Sequence, residues 1–317
     1  MLTSEPAHCR ICRIYSGHTD AIFGLAWSPD GRWLASSDRT GSVQIWEAAT
    51  GTVRLHFRTH RVCALSVAWS PDSHFLASGD TGGYIYIWQA QNGQIQQQYH
   101  EHTRFVRSIA WSPDGRWLAS GGDYGDSTLR IWEAASGKTL AVQRDQERIF
   151  SVAWSPDGTQ LASANFAQRV ELWNVATPQL DCYRETGPAI QLGHVLSYRQ
   201  HHGPVYAVAW SPTGSEIVSA GQKAQAHVWD STTGKDRLVY RQHQQAIKTL
   251  AWSPAGSAIA TAGNDASVHV WSAQTGQRTS MLTGSSNAWI RALAWSPDGS
   301  SIAAASAHTI TIWTSGA

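Results

Sequence analysis

The chain has 317 residues, 15% of them charged, and a formal net charge of +1. So weak a field gives no reason to favour nucleic acid as a partner. Four cysteines in a chain this long do not make a disulfide framework, no run of 18 apolar residues exists to span a bilayer, and the opening MLTSEPAHCRIC lacks the apolar centre of a secretory leader, so a cytoplasmic protein is the expectation.

The first predicted element is a lone strand at about His8 to Tyr15. It carries Cys9 and Cys12 as a C-x-x-C pair, with no second pair at metal-ligand spacing. Both are therefore read as ordinary strand residues, and Cys63 and Cys182 have no evident partners. No metal and no cofactor are expected. A repeat then begins. The string Trp-Ser-Pro starts at Trp27, Trp69, Trp111, Trp154, Trp210, Trp252 and Trp295, at intervals of 42, 42, 43, 56, 42 and 43 residues. A second tryptophan closes each unit, at Trp46, Trp88, Trp132, Trp173, Trp229, Trp271 and Trp313, so 14 of the 17 tryptophans are periodic.

Within a unit, LAWSPDGRWLAS reads as strand, tight turn, strand. Pro29 fixes φ at the second turn position and Gly31 is free to take positive φ at its end. The turn residues drift in other units, where Ser73, Thr213 and Ala255 stand in for Gly or Asp. An alternating run such as SVQIW is the third strand. A turn at Ala48 to Gly51 leads to a fourth, TVRLHFR, with Val53, Leu55 and Phe57 on one side. No amphipathic helix is found. Four short strands repeated seven times, apolar on both faces, predict an all-β, seven-bladed propeller with four antiparallel strands per blade.

The last unit ends at Trp313, four residues from the end of the sequence, and has no fourth strand of its own. The N-terminal strand is expected to complete blade seven and remove two exposed edges. Truncation before Ile11 or after about Ile310 should be poorly tolerated. The whole of 1–317 is read as one propeller domain, with an insertion at about 178–191 in the turn between the third and fourth strands of blade four. Two further extra residues fall in Gly121 to Ser127.

The units resemble WD40 repeats over about residues 8 to 314. Gly17-His18 matches the family's Gly-His pair. His60, His102, His201 and His243 keep the histidine alone, Asp145 and Ser286 take its place in units four and seven, and only Trp229-Asp230 is a literal Trp-Asp. The resemblance implies a rigid, non-enzymatic ring that displays loops to protein partners. It also implies that recurring His, Ser or Thr, Asp and Trp residues form a structural polar network. The complete sets are His102, Ser120, Asp126 and Trp132, and His243, Thr261, Asp265 and Trp271. A motif scan would take these for catalytic triads, but each is a buried polar group that needs a partner. Asp38 and Asp80 lie two residues further from their tryptophan than Asp265 does, so loss of Asp265 is expected to cost more than loss of Asp38. Lys223 stands where unit five would have its acid.

Positions in phase across the units mark a candidate surface. Five residues past the repeat histidine come Phe23, Leu65, Arg107, Phe150, Tyr206, Lys248 and Arg291, expected to enter the first strand near the central channel. Three past it come Ala21, Cys63, Phe105, Arg148, Pro204, Ala246 and Trp289, and the turns before the third strand add Arg39, Tyr124, Phe166 and Lys223. Arginine and large aromatics dominate binding hot spots. The candidate partner-binding cluster is therefore Phe105, Arg107, Arg148, Phe150, Tyr206, Trp289 and Arg291. The leading functional reading is a non-catalytic scaffold for protein or peptide partners. A small-molecule or glycan site on the same rim is the alternative, and neither nucleic acid nor membrane is expected as a partner. A closed ring is taken to have no edge to share, so a monomer is expected.

Overall fold

The computed structural model describes residues 10–144, 147–176, 190–284 and 286–314. Cys9, Asp145, Cys182 and most of the 178–191 insertion lie outside the described residues.

Seven four-stranded antiparallel sheets form the ring. Their first strands are Ile22–Trp27, Ala64–Trp69, Val106–Trp111, Ile149–Trp154, Val205–Trp210, Ile247–Trp252 and Ile290–Trp295. Each touches the first strands of both neighbouring blades, the last meeting the first, so these seven line the axis. Strand Arg10–Tyr15 pairs with Thr309–Thr314, Ile11 opposite Trp313 and Tyr15 opposite Ile310, and completes blade seven as expected. In blade four the fourth strand is Gln191–Tyr198. Its partner strand, Val170–Ala176, runs on to pair Ala176 with Gln191.

The Ser-Pro-Asp-Gly turn is held by its own side chains. Ser28 Oγ accepts from Trp33 N at 2.9 Å, and Asp30 Oδ1 accepts from Ser28 Oγ and from Arg32 N. Gly31 sits at φ 75°, and Ser73 is forced to φ 62° at the same place, a conformation that disfavours any side chain.

Both sets of tryptophans join blades. From the second blade on, the Trp-Ser-Pro indole donates to the carbonyl of the alanine before the previous blade's Trp-Ser-Pro. Examples are Trp111 to Ala68 O at 3.0 Å and Trp210 to Ala153 O at 3.0 Å. The first blade breaks the rule, because Trp27 Nε1 is buried without a partner at the seam with blade seven. Five of the seven closing tryptophans are covered by a ring from the preceding blade. The last aromatic of one blade's fourth strand lies flat on the next blade's indole, as in Tyr15 on Trp46 (4.1 Å, 4°), Tyr99 on Trp132 (4.5 Å, 7°), Tyr198 on Trp229 (4.4 Å, 1°) and Tyr240 on Trp271 (4.6 Å, 5°). Phe57 packs on Trp88 at a tilt of 32°. These aromatics fall three residues before the repeat histidine, a periodicity the sequence reading passed over.

Fourth-strand side chains also reach across to the next blade. Arg54 donates to Gln91 O at 3.3 Å and Arg237 to Ala273 O at 2.8 Å. At the seam Arg13 donates to Thr50 O at 2.7 Å and to Ala49 O, and Ile22 N donates to Ala307 O at 2.8 Å. One expectation needs correcting: closure does not remove every edge. Each sheet ends in an outer strand paired on one side only, and these strands expose Ile11, Ile14, Val53, Ile95 and Val195.

Deleting residues 1–16 removes a whole strand, the Tyr15–Trp46 stack and both Arg13 bonds. The expected result is a melting temperature lower by on the order of 10 °C or more, at ~2–4 °C per kcal/mol lost. Thermal unfolding of the truncated and full chains, followed by tryptophan fluorescence, checks this. An unchanged transition refutes the closure role.

Candidate functional site

Two sets of polar side chains recur around the ring, and burial separates them. The first runs through the blade interior. In blade one, Trp46 Nε1 lies 3.1 Å from Ser36 Oγ, Ser36 Oγ 2.6 Å from His18 Nε2, and His18 Nδ1 2.6 Å from Asp38 Oδ2. An indole N–H can only donate, so Ser36 accepts it and turns its own proton toward Nε2. Nδ1–H is then left to donate to the carboxylate. Blade two repeats this with Trp88, Ser78, His60 and Asp80, and blade six with Trp271, Thr261, His243 and Asp265. Ser36, Ser78, Ser120, Ser219 and Thr261 are all 0% exposed. No substrate reaches these hydroxyls, so the triad-like geometry is not an active site. Among the described residues, no group of three His, Cys, Asp or Glu side chains is placed to hold a metal ion.

The network departs from expectation in two places. Trp132 does not join its set: its Nε1 is buried without an acceptor, although His102 still meets Ser120 at 2.7 Å and Asp126 at 3.0 Å. Asp38 and Asp80, in contrast, are full members. They sit on the last residue of the second strand, opposite Ile22 and Ala64, and reach the histidine from there. Blades three and six carry glycine at that place and bring the acid in from the following turn. A Cβ on Gly122 would stand 2.2 Å from Asp126 Oδ1, so the two sources of the acid exclude each other. Asp38 also accepts from Thr40 N (2.8 Å), Thr40 Oγ1 (2.6 Å) and Ser42 N (3.1 Å), and its side chain is 1% exposed against 10% for Asp265. Burial works to raise the pKa of both acids. Hydrogen bonds from the histidine and nearby hydroxyls outweigh it and leave both below the usual carboxylate range.

The remaining blades are partial. In blade five His201 meets Ser219 at 2.7 Å and Trp229 donates to Ser219 at 3.0 Å, with His227 packed against His201 at 4.4 Å. In blade four Trp173 donates to Ser163 at 3.0 Å. Blade seven replaces the chain with Ser286 and Ser306, 2.8 Å apart.

The second set faces the axis. In every blade the pairing of the first and second strands slips by one residue, and the residue left unpaired is Phe23, Leu65, Arg107, Phe150, Tyr206, Lys248 or Arg291. A β-bulge takes its residue out of the in–out alternation and re-aims its side chain. All seven bulge residues line one cavity of about 210 Å³ at the channel mouth, with Asn264 and Trp289. In the first six blades a backbone bond, such as Arg39 N to Ala21 O or Phe166 N to Arg148 O, ties the loop before the first strand to the turn after the second. The rim is therefore braced.

Five of the seven candidate residues, Arg107, Phe150, Tyr206, Trp289 and Arg291, thus come together in the cavity. Phe105 and Arg148 do not line it. Arg148 lies on the rim, 4.5 Å from the Tyr124 ring and 5.2 Å from Phe166, with Asp123 at 4.0 Å. Phe150 meets Tyr206 at 5.1 Å, and Arg291 lies over Phe23 at 5.3 Å and Trp289 at 5.7 Å. Lys248, outside the candidate cluster, has its ammonium 3.5 Å from the Tyr206 ring centre. Burial, then the fields of Arg107 and Arg291, lower its pKa to about 8. Asn264 was missed. Its signal was positional, since it occupies the register of Arg39 and Phe166.

The chain matches the family described as WD domain, G-beta repeat over residues 9–47, 51–89, 93–133 and 137–174, and the family described as Eukaryotic translation initiation factor eIF2A over 188–314. Similar curated proteins include Ribosome biogenesis protein ERB1 of Debaryomyces hansenii, 49% identical over 47 residues, which are 15% of this chain and 6% of that protein. Transcriptional repressor rco-1 of Neurospora crassa is 28% identical over 64 residues, 20% of this chain and 11% of that protein. Guanine nucleotide-binding protein subunit beta of Zea mays is 27% identical over 66 residues, 20% of this chain and 17% of that protein. The chain covers less than a fifth of the length of each.

Asp38→Ala is expected to destabilise the ring by about 2 kcal/mol, since it strands a buried imidazole and two backbone N–H groups, and by at least as much as Asp265→Ala. Urea unfolding of the two variants checks this, and a larger loss for Asp265→Ala refutes it. A second outcome concerns pH. Burial, then the positive fields of His243 and Arg278, lower the pKa of His269 to about 4. Unfolded histidine titrates near ~6.5. The unfolded chain thus binds the extra proton between these values, and stability is lost as pH falls from about 6.5 toward about 4. His269→Gln installs the residue that blade one uses there, where Gln44 accepts from the Tyr15 hydroxyl. It should shrink the stability loss between pH 7 and pH 5, and an unchanged loss would rule His269 out as a source.

Proposed function

The chain belongs to the WD40 repeat family, and from that premise we propose that its partners dock on the face that carries the channel mouth. The fold is a non-catalytic scaffold for protein interactions. The observation that carries the finer reading is the bulge register. Seven re-aimed side chains converge on one cavity, and large aromatics stand around it without cover: Tyr124 at 55%, Trp289 at 50% and Phe166 at 44% exposure. Such rings bury wide area with few rotors to freeze, and the braced loops lower the cost of ordering the surface.

The cavity of about 210 Å³ is below the ~300–1,000 Å³ of sites that enclose drug-sized ligands. That favours a protruding side chain over the small-molecule or glycan alternative. A ribosome biogenesis factor, a transcriptional repressor and a G-protein subunit each share stretches of 47 to 66 residues with this chain, little more than one repeat. What they share is the blade, and none of their partners carries over. The proposal takes the ring to be a cytoplasmic monomer, with fourth-strand arginines spent on the adjacent blade.

The test is panning of a random peptide display library on the immobilised ring, against a ring carrying Phe150→Ala, Tyr206→Ala, Trp289→Ala and Arg291→Ala with unchanged melting. Peptides enriched on the first should bind the second at least tenfold more weakly. Equal binding moves docking to another surface and refutes the assignment.

A further inference from the structure

Among the described residues, no carboxylate balances the charge at the channel mouth. Arg107, Lys248 and Arg291 come from blades three, six and seven and line the same cavity, and no Asp or Glu lines it with them. Among the described residues none of the three forms an ion pair. Some arginines elsewhere do meet a carboxylate: Arg130 with Glu101 at 3.0 Å, Arg39 with Asp20 at 3.0 Å, and Arg237 with Glu216. Three cations sharing a half-buried space repel, and Lys248 is depressed first by its burial and then by the fields of Arg107 and Arg291. Arg291 is lowered too, by burial and then by Arg107. A separate observation falls on the same wall. Asn264 Oδ1 is buried without a hydrogen-bond partner, and an amide turned end for end presents N–H donors there instead.

We propose that the channel mouth is a binding site for a dianionic phosphoryl group, held by Arg107, Lys248 and Arg291 with the Asn264 amide as a neutral donor. Three cations exceed what one carboxylate neutralises. A phosphoryl group brings close to two negative charges and three acceptor oxygens, and a cavity of about 210 Å³ admits such a group with a short stem. The proposal stands whether the group arrives on a partner's side chain or as a free ester, so it holds or fails apart from the docking reading above.

A pH signature follows. The groups facing Lys248 are Arg107 and Arg291, whose fields lower its pKa further after burial, and Tyr206, whose own pKa burial raises. Cys63, which interacts electrostatically with Arg107 and Arg291, has its thiol pushed up to about 11 by burial and stays neutral. An anion beside Lys248 raises its pKa from about 8, so binding takes up protons near pH 8 and weakens as pH rises through it. Below about pH 6 the phosphoryl group itself becomes a monoanion, so affinity peaks between the two.

The experiment is calorimetric titration of the full chain with inorganic phosphate, acetyl-phosphoserine amide and acetyl-glutamate amide. It is run in two buffers of different ionisation heat from pH 5.5 to 9. The same titrations follow on Arg107→Gln/Arg291→Gln and on Lys248→Met. Expected are binding of a phosphoryl probe, net proton uptake near pH 8, at least tenfold weaker binding of the glutamate amide, and at least tenfold loss in the double variant. Lys248→Met should flatten the high-pH limb. All variants should melt no lower than the parent, because like charges are removed. Tighter binding of the phosphoserine amide than of phosphate assigns the group to a peptide partner, and equal binding assigns it to a free ester. No phosphoryl binding, binding that survives the double variant, or glutamate binding as tight as phosphoserine overturns the proposal.

Discussion

In four blades the indole of the closing tryptophan is held from two directions. Its face lies against the last aromatic of the preceding blade, and its N–H points inward to the serine or threonine of its own second strand. In blades one, two, five and six both contacts are made, and these indoles are 0–2% exposed. Stacking of this kind adds ~0.5–1.5 kcal/mol per pair beyond area burial. Because the same ring plane sets both contacts, the angle between blades and the hydrogen-bonded interior of each blade are fixed together. Blade three keeps the stack and loses the hydrogen bond, and its indole is held by the Tyr99 ring and the apolar core around it.

From that indole the polar chain runs outward through serine and histidine to a carboxylate, and the carboxylate has two ways in. It stands on the last residue of the second strand or in the turn beyond, and Gly122 shows that space permits only one. The serine hydroxyls are sealed, so the chain is a means of satisfying buried polar groups and has no chemistry to offer. Burial depresses the pKa of His201, a member of that chain, to about 3 and of His269, which stacks on His243, to about 4.

The bulge in the first strand separates packing between sheets from the lining of the channel. The residue before it, such as Ile22, Val106 or Ile247, is 0–1% exposed and packs between sheets. The bulge residue faces the axis and is free of that duty. Seven such positions accept phenylalanine, leucine, arginine, tyrosine and lysine without disturbing the blade. One scaffold can therefore carry an unbalanced cluster of cations at its mouth, supported by blades whose cores do not depend on it.

The number of blades, their strand order and the N-terminal closure were all legible in the sequence. They follow from spacing: a repeat of 42 or 43 residues, two tryptophans per unit, and one missing strand at the end matched by a spare one at the start. The channel positions were legible too, because residues in phase must occupy equivalent places. Other features depended on distance in three dimensions. The spacing of Asp38 from Trp46 suggested a residue whose loss would cost less than that of Asp265, yet its carboxylate reaches His18 from a strand end whose direction only pairing defines. The orphaned Trp27 arises where blade seven meets blade one, a contact between residues nearly three hundred positions apart. In-phase spacing assigns Arg107, Lys248 and Arg291 to equivalent channel positions but says nothing of how close they come. Only closure of the ring turns them toward one axis and makes their mutual repulsion a property of the site.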